Sequence, residues 1–473
     1  MQTLPADLAL SHAEIQRLWR QVEYLEEELR LTRAKYFGRS SEKRPLDSPP
    51  NQILLFPPPE QKEAAEHLRR EDTIIDKGEG EIVLEKITER LAANDTPFFV
   101  KRIIRRIRKK DGVLLTLPLP PPVIEGTTAD ISFLVYVLIA KYVWHLPLYR
   151  QEQILKSQGI QLSRDTMIRY VIAIASLLKP IYVALGVELF AGEHLYGDET
   201  PVQVGKTKAA KKSYETAWFW TFVGSAGCIF HYSSSRAYKE VEPLLKTYSG
   251  YLQCDGYQVY EKLAATYPEI TLVSCWSHAR RKFVDAEQGG NVADSKEALR
   301  YIRALYRVER RIREQGLKPP EILYLRQRFS KGILALFDRW LRRRAQDPTL
   351  LPKSLFGKAL NYTRERWKSL SRYIEDPALA IDSNIIEREI RPVALGKKNW
   401  LFCASETGAE ASAISYSLIA SCRLAGVDPA TYFTDVLDRI STHPASKVAE
   451  LIPLNWKHLI LSETVSAALP AKV

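Results

Sequence analysis

The stretch HLYGDETPVQV (residues 194–204), followed by ETAWFWTFVGS (215–225) and GCIFHYSSS (227–235), decides the fold class. These runs are rich in aromatic and β-branched residues and are separated by turn formers, so they read as three successive strands. YKEVEPLLKTYS (238–249) then has the spacing of a short amphipathic helix. YLQCD (251–255) and EITLVSCW (269–276) are two further strands, each leading into a helix. Strands followed by strand–helix units define an α/β protein with a mixed sheet flanked by helices.

Upstream, residues 126–190 read as helical. YRQEQILKSQG, IQL and SRDTMIRYVIAIASLL give a helix, a turn at Gly159 and a helix capped by Ser163. That is helix-turn-helix spacing, with Arg164, Asp165, Met167 and Arg169 expected to face outward; a plain helical hairpin fits equally well. Lys179 and Pro180 break the apolar stretch 170–190, which predicts two buried helices there. Downstream, residues 285–376 are helical and strongly basic, with Arg303, Arg307, Arg310, Arg311 and Arg313 and later Arg339, Arg342, Arg343 and Arg344. DSNIIEREIRP (382–392) and the run 408–426 read as helices returning to the sheet, ahead of a helical tail over 427–473.

At the N-terminus, Ile15, Leu18, Val22, Leu25, Leu29, Thr32 and Tyr36 alternate three and four apart behind a Ser11–Glu14 capping box. The pattern suits a dimerising coiled coil over residues 1–44; an amphipathic helix docked on its own domain fits it too. Residues 45–80, with Pro45, Pro49, Pro50 and Pro57–Pro59 among charged residues, read as a linker. In the next segment, 81–125, the cations Lys101, Arg102, Arg105, Arg106, Arg108, Lys109 and Lys110 crowd into ten residues between isoleucines. On a strand, Arg102, Ile104, Arg106 and Arg108 share one face and Ile103, Arg105 and Ile107 the other. The ridge reads as a DNA-phosphate contact, against a merely solvated face.

The 473 residues carry 68 Lys and Arg against 56 Asp and Glu, a formal charge of +12 that favours a polyanionic partner. Five cysteines stand singly, which excludes a CxxC zinc site or a disulfide framework and suits a reducing, cytoplasmic setting. No targeting signal and no membrane association is expected from the sequence.

Three acidic positions stand where phosphoryl-transfer chemistry would place them: Asp198 and Asp255 at strand ends and Glu387 on a helix. Such chemistry needs hard oxygen ligands for divalent metal, held rigidly. Composition alone does not select these three. Cations surround them: Arg280 and Arg281 follow Trp276 and His278, and Arg388 and Arg391 flank Glu387. A set of surface ion pairs would look the same.

KYFGRSSEK (35–43), HLPLYRQEQI, LSRDT, DETPVQV, LQCDGYQVY, CWSHARRKF, DSNIIEREIRPVALGKKNWLF, GVDPATYFTDVLDRI and the closing PLNW resemble, in order, the blocks of the insertion sequence 66 family of bacterial DDE transposases. The resemblance implies an RNase H-like core, 191–284 and 377–426, interrupted by the helical insertion. It places the catalytic and metal-binding triad on Asp198, Asp255 and Glu387, with two Mg²⁺ or Mn²⁺ ions, and gives Asn384 and Arg388 supporting positions. It implies cleavage at transposon ends and transfer of the 3′-OH to target DNA. Terminal inverted repeats and target DNA would be the partners, bound by Lys101–Lys110, Arg164, Arg280, Arg281, Arg388 and Arg391. His278 would steady the scissile strand or fill core beside Trp276. A homodimer or higher oligomer through the N-terminal helix and a cytoplasmic, nucleoid-associated location are also expected; whether small accessory proteins of the same element take part is left open by the sequence. The family's cysteine-rich zinc segment has no counterpart, since residues 39–193 contain no Cys, so no zinc is expected. Two other functions share these features: a non-catalytic DNA-binding protein derived from a transposase, and an RNase H-fold nuclease without strand transfer.

Overall fold

The computed structural model describes residues 70–76, 78, 81–93, 98–111, 113–118, 122–205 and 214–468. The expected coiled coil and most of the linker lie outside the described residues. The described chain forms two units: residues 276–377, and the segments on either side of them.

The flanking segments begin with a four-stranded sheet: β1 (Arg70–Ile75), β2 (Glu81–Ala93), β3 (Phe98–Lys110) and β4 (Val113–Leu115). β1 runs parallel to β3, and β2 and β4 antiparallel to it. β1 therefore falls inside the stretch read as linker. Its pairing partner lies some thirty positions away at Val100–Arg105, so no local pattern announces it. The foot of the sheet docks through Phe98, whose ring meets Phe133 edge-on at 5.7 Å and Tyr136 at 4.9 Å.

Three helices follow: α1 (Ile131–Tyr142), α2 (Leu148–Ser157) and α3 (Arg164–Phe190). Asp130 caps α1 and Ser163 caps α3, each accepting from a backbone N–H of the first turn. Gly159 makes the turn between α2 and α3 in the left-handed region, at φ 75°.

Two sequence expectations fail here. α3 runs unbroken through Pro180, because Met167, Tyr170, Ile174, Leu178, Ile181, Leu185 and Leu189 form one buried stripe that continues past it. Seven buried positions outweigh the one hydrogen bond a helical proline forfeits. Met167, expected to face outward, is the start of that stripe and fully buried, whereas Arg164, Asp165 and Arg169 are exposed. Among the described residues α3 alone is long and apolar enough to cross a membrane; its stripe packs on the sheet and the neighbouring helices.

The central sheet contains β5 (His194–Gly205), β6 (Tyr214–Gly224), β7 (Gly227–Ser233), β8 (Gly250–Cys254) and β9 (Ile270–Ser274). Its order is β7-β6-β5-β8-β9; the first three strands are antiparallel, and β5, β8 and β9 are parallel. α4 (Tyr238–Leu245) and α5 (Gln258–Thr266) make the crossovers.

The 276–377 unit is helical, as its sequence predicts: α6 (Trp276–Gln288), α7 (Val292–Glu314), α8 (Pro319–Leu325), a π-turn at Arg326–Ser330, α9 (Lys331–Ala345), α10 (Leu355–Glu365) and α11 (Trp367–Ser371). Trp276, Phe337, Trp340, Trp367 and Phe356 interlock as its aromatic core, and the Trp276 indole donates to the Leu370 carbonyl at 2.8 Å. Arg326 is buried at the π-turn, paired with Glu309 at 2.8 Å and donating to the carbonyls of Tyr373 and Asp376.

The chain returns as α12 (Asn384–Trp400), α13 (Glu406–Ala425), α14 (Pro429–Arg439) and α15 (Pro453–Ala468). α13 covers β7. The hydroxyls of Ser417 and Ser421 accept from the backbone N–H groups of Phe230 and Cys228 at 2.8 and 2.9 Å. Small side chains let the helix approach so closely that it satisfies donors an edge strand would otherwise leave open.

Candidate active site

Parallel pairing of β5 with β8 ends at Gly197↔Cys254. The next residue on each strand is an aspartate, so register alone sets Asp198 and Asp255 side by side at the carboxyl end of β8. Open sheets bind ligands at such ends. Asp198 is not at the end of its own strand, as expected from sequence; β5 continues to Gly205 and pairs onward with β6. What ends beside it is its parallel neighbour. Gly197 keeps the approach narrow, since a Cβ there would come within 3.2 Å of Leu252 and 3.4 Å of Tyr260.

Both carboxylates are fixed by their own backbone. Asp198 Oδ1 accepts from the Glu199 N–H at 2.8 Å, and Asp255 Oδ1 accepts from the Tyr257 N–H at 2.8 Å. The second bond is an Asx-turn, and it bends the chain after β8. Gly256, which follows Asp255 in that bend, is not in the left-handed region. The aspartate side chain makes the turn.

A third carboxylate joins them. Oxygens of Asp198, Glu199 and Asp255 all lie within 4.8 Å of one another. Oxygen ligands about 2.1 Å from an octahedral Mg²⁺ lie about 3 Å apart when adjacent and about 4 Å when opposite. The cluster therefore has the donor type and the span that such an ion requires.

Glu199 is held from behind. Its side chain is wholly buried, and Oε1 accepts from Arg236 at Nε (2.6 Å) and also at Nη2. Oε2 accepts from the Tyr260 hydroxyl at 3.0 Å. Arg236 lies over the Tyr257 ring at 3.8 Å and near Trp218 at 4.9 Å, and the Tyr257 hydroxyl donates to the Arg236 carbonyl at 2.7 Å. Burial pushes the Glu199 carboxyl above its usual range; Arg236 opposes this and the neighbouring Asp255 charge adds to it. The guanidinium thus balances one of three crowded negative charges and ties the Arg236 segment to both β5 and the turn after β8. Glu199, Arg236, Tyr257 and Tyr260 were missed in the sequence. Glu199 stands in GDETP beside a chosen aspartate, but nothing in SSSRAY marks Arg236.

Glu387 lies outside this three-residue cluster. It is half-buried in the first turn of α12, which packs on β5 and β6. Three bonds fix that helix beside the strands: Gln253 Nε2 donates to the Ala380 carbonyl (3.0 Å), the Ser383 N–H to Cys275 Sγ (3.2 Å), and Lys397 Nζ to the Pro201 carbonyl (3.0 Å). Asn384 donates to Asp382 at 2.9 Å. Arg388 and Arg391 are exposed; Glu389, on the buried side, pairs with Arg423 at 2.6 Å. His278, Arg280 and Arg281 belong to α6 of the helical unit, His278 half-buried and both arginines exposed.

The ridge on β3 is less available than its composition suggests. Arg108 pairs with Asp76 at 2.6 Å, Arg106 with Glu85 at 2.9 Å and Asp76 at 3.6 Å, and Arg102 with Asp72 and Glu89. Lys101 pairs with Asp130 at 3.2 Å. The Arg108 guanidinium holds the Asp76 carboxyl far below the usual carboxylate range. The strand face carrying Arg102, Arg106 and Arg108 is therefore largely neutralised by acids on β1, β2 and the turn after β1. Arg105, on the other face opposite Lys86, has no acidic partner among the described residues.

A family model described as Transposase IS66 family matches residues 126–411, and one described as IS66 C-terminal element matches residues 417–454. These matches place the chain among the transposases. It belongs to the IS66 family. Similar chains include three of Sinorhizobium fredii (strain NBRC 101917 / NGR234). Uncharacterized protein y4jD is 32% identical over 76% of this chain and 73% of its own. Uncharacterized protein y4hP is 32% identical over 71% and 64%, and uncharacterized protein y4qI 31% identical over 85% and 78%.

Proposed function

We propose that this protein is a metal-dependent DNA transposase that cleaves at transposon ends and joins the freed 3′-OH to target DNA. The observation that carries the reading is the convergence of Asp198 and Asp255 at the end of the parallel strands, within a carboxylate cluster whose span suits a hard divalent cation. The sheet order β7-β6-β5-β8-β9, with its first three strands antiparallel and β5, β8 and β9 parallel, supports an RNase H-like core. Asp198 and Asp255 would hold Mg²⁺ or Mn²⁺, and Glu387, carried on α12 against β5, would complete the site. A divalent ion bound there lowers the pKa of an attacking water or hydroxyl and stabilises charge on the departing 3′ oxygen.

The chain's own groups do the rest. The two backbone N–H bonds to Asp198 and Asp255 keep the aspartates in place before substrate arrives, which avoids reorganisation during the reaction. Arg236 and Tyr260 hold Glu199, so the site presents the two aspartates rather than three competing charges. Arg388 and Arg391, exposed beside Glu387, would receive phosphates of the scissile strand. Terminal repeats and target DNA are the substrates, and self-association through residues 1–44 would bring two ends together.

Labelled transposon ends, a target plasmid and Mg²⁺ test the reading. End cleavage followed by labelled joined products is expected. Nicked ends without joining would reduce the protein to a nuclease, and bound but uncut ends would make it a DNA-binding relic.

A further inference from the structure

Among the cations that the strand-end site leaves unused, α7 of the helical unit holds the most ordered set. The helix is anchored on one side, where Ala298, Leu299, Ile302, Leu305 and Ile312 are buried and Tyr301 stacks on Phe337 at 4.9 Å. On the other side Arg303, Arg307 and Arg310 are exposed at spacings of four and three, which puts them in one row. Arg311 and Arg313 widen the row at its end.

The acids of this helix do not neutralise the row. Asp294 pairs with Arg344 at 2.6 Å, Glu297 with Arg300 at 3.0 Å, and Glu309 faces inward to Arg326 at 2.8 Å; Glu314, four residues past Arg310 at the helix end, forms no ion pair with the row. No carboxylate among the described residues pairs with Arg303, Arg307 or Arg310. Arg311 and Arg313 have an ordinary explanation, since cations in the last turn favour the helix dipole. The three upstream arginines do not. Like charges three and four apart cost a helix about 0.2–0.5 kcal/mol per pair. Among the described residues of α7, Val292 is the one large apolar side chain that is exposed, so the face does not suit an apolar partner.

We infer that the Arg303–Arg307–Arg310 row is a docking surface for the phosphate backbone of duplex DNA. The inference rests on the reading of the protein as one that acts on DNA, and it adds a contact away from the carboxylate cluster. From Arg303 to Arg310 the helix rises about 10 Å. One strand of B-DNA presents a phosphate about every 3.4 Å along the axis. Three side chains on a rigid helix therefore match a short run of one backbone, and they read charge rather than sequence.

The test uses the full-length chain and a random-sequence 30-base-pair duplex, with affinity followed across salt by fluorescence anisotropy. Each neutralised phosphate contributes about −0.9 to the slope of log K against log salt. The variant Arg303→Gln/Arg307→Gln/Arg310→Gln is expected to flatten that slope by about two to three. Gln keeps the helix propensity, so melting should be unchanged. The control Arg300→Gln/Arg342→Gln removes two cations already paired with Glu297 and Asp338 and is expected to change the slope by less than one. An unchanged slope in the folded triple variant overturns the inference. So does an equal loss in the control, which would reduce the effect to net charge. So does a triple variant that loses affinity for polyaspartate but keeps it for the duplex, which would assign the row to an acidic protein. End joining is scored separately: joining with an unchanged slope removes the surface and keeps the transposase, and a flattened slope without cleavage does the reverse.

Discussion

Asp198→Ala, Asp255→Ala and Glu387→Ala are each expected to abolish DNA cleavage while leaving duplex binding intact. Each removes a carboxylate meant for metal and no phosphate contact. Losing metal-borne stabilisation of several kcal/mol in the transition state corresponds to a rate loss of about a thousandfold or more. Binding should hold or tighten, because a negative charge leaves a surface that receives phosphates. The three variants should also differ in stability. Asp255→Ala loses the Asx-turn that bends the chain after β8 and should melt lower; Glu387→Ala should not. Cleavage and gel-shift assays on the same preparations, with thermal melts, check this. Cutting by the Asp255→Ala protein in Mg²⁺ would show the assignment to be wrong.

Arg236→Met should be among the most destabilising substitutions at the sheet end. It leaves Glu199 buried without its counter-charge and releases the stack on Tyr257. Removing one partner of a buried pair costs about 3–5 kcal/mol, and the lower figure is apt here because Arg236 is itself 36% exposed. Adding Glu199→Gln to that variant removes the stranded charge and should recover much of the stability. Cleavage should not recover with it, because the guanidinium that fixed the segment beside Asp198 and Asp255 is still missing. Denaturant melts of the single and double variants decide the matter; a single variant as stable as the wild type would contradict the role given to Arg236.

Much of the central sheet was legible because its strands are local: aromatic and β-branched runs of five to twelve residues, punctuated by Gly and Ser. The helical unit was legible for the same reason, its arginines alternating with a buried stripe. What local pattern could not supply was register. Asp198 and Asp255 are 57 positions apart, and only the pairing Gly197↔Cys254 makes them neighbours. The same holds for β1, whose REDTII has no strand signal of its own and is held by a distant parallel partner. Pro180 misled in the opposite direction: its local cost was plain, and the burial stripe that overrides it was spread over 23 residues. The pairing of the β3 cations was not legible because their acids lie in other segments, on β1 and β2, just after β1 and at the cap of α1. Arg236 had no local signal at all, since its role arises where three separate segments meet.

Diffraction from crystals soaked in Mn²⁺ shows whether the two aspartates hold a cation, because the anomalous signal locates the ion without reference to activity. A peak is expected between Asp198 and Asp255, at about 2.2 Å from a carboxylate oxygen of each, that disappears in the Asp198→Asn/Asp255→Asn protein. A fully soaked crystal with no peak there, or with its strongest protein-bound peak at other carboxylates, would contradict that expectation.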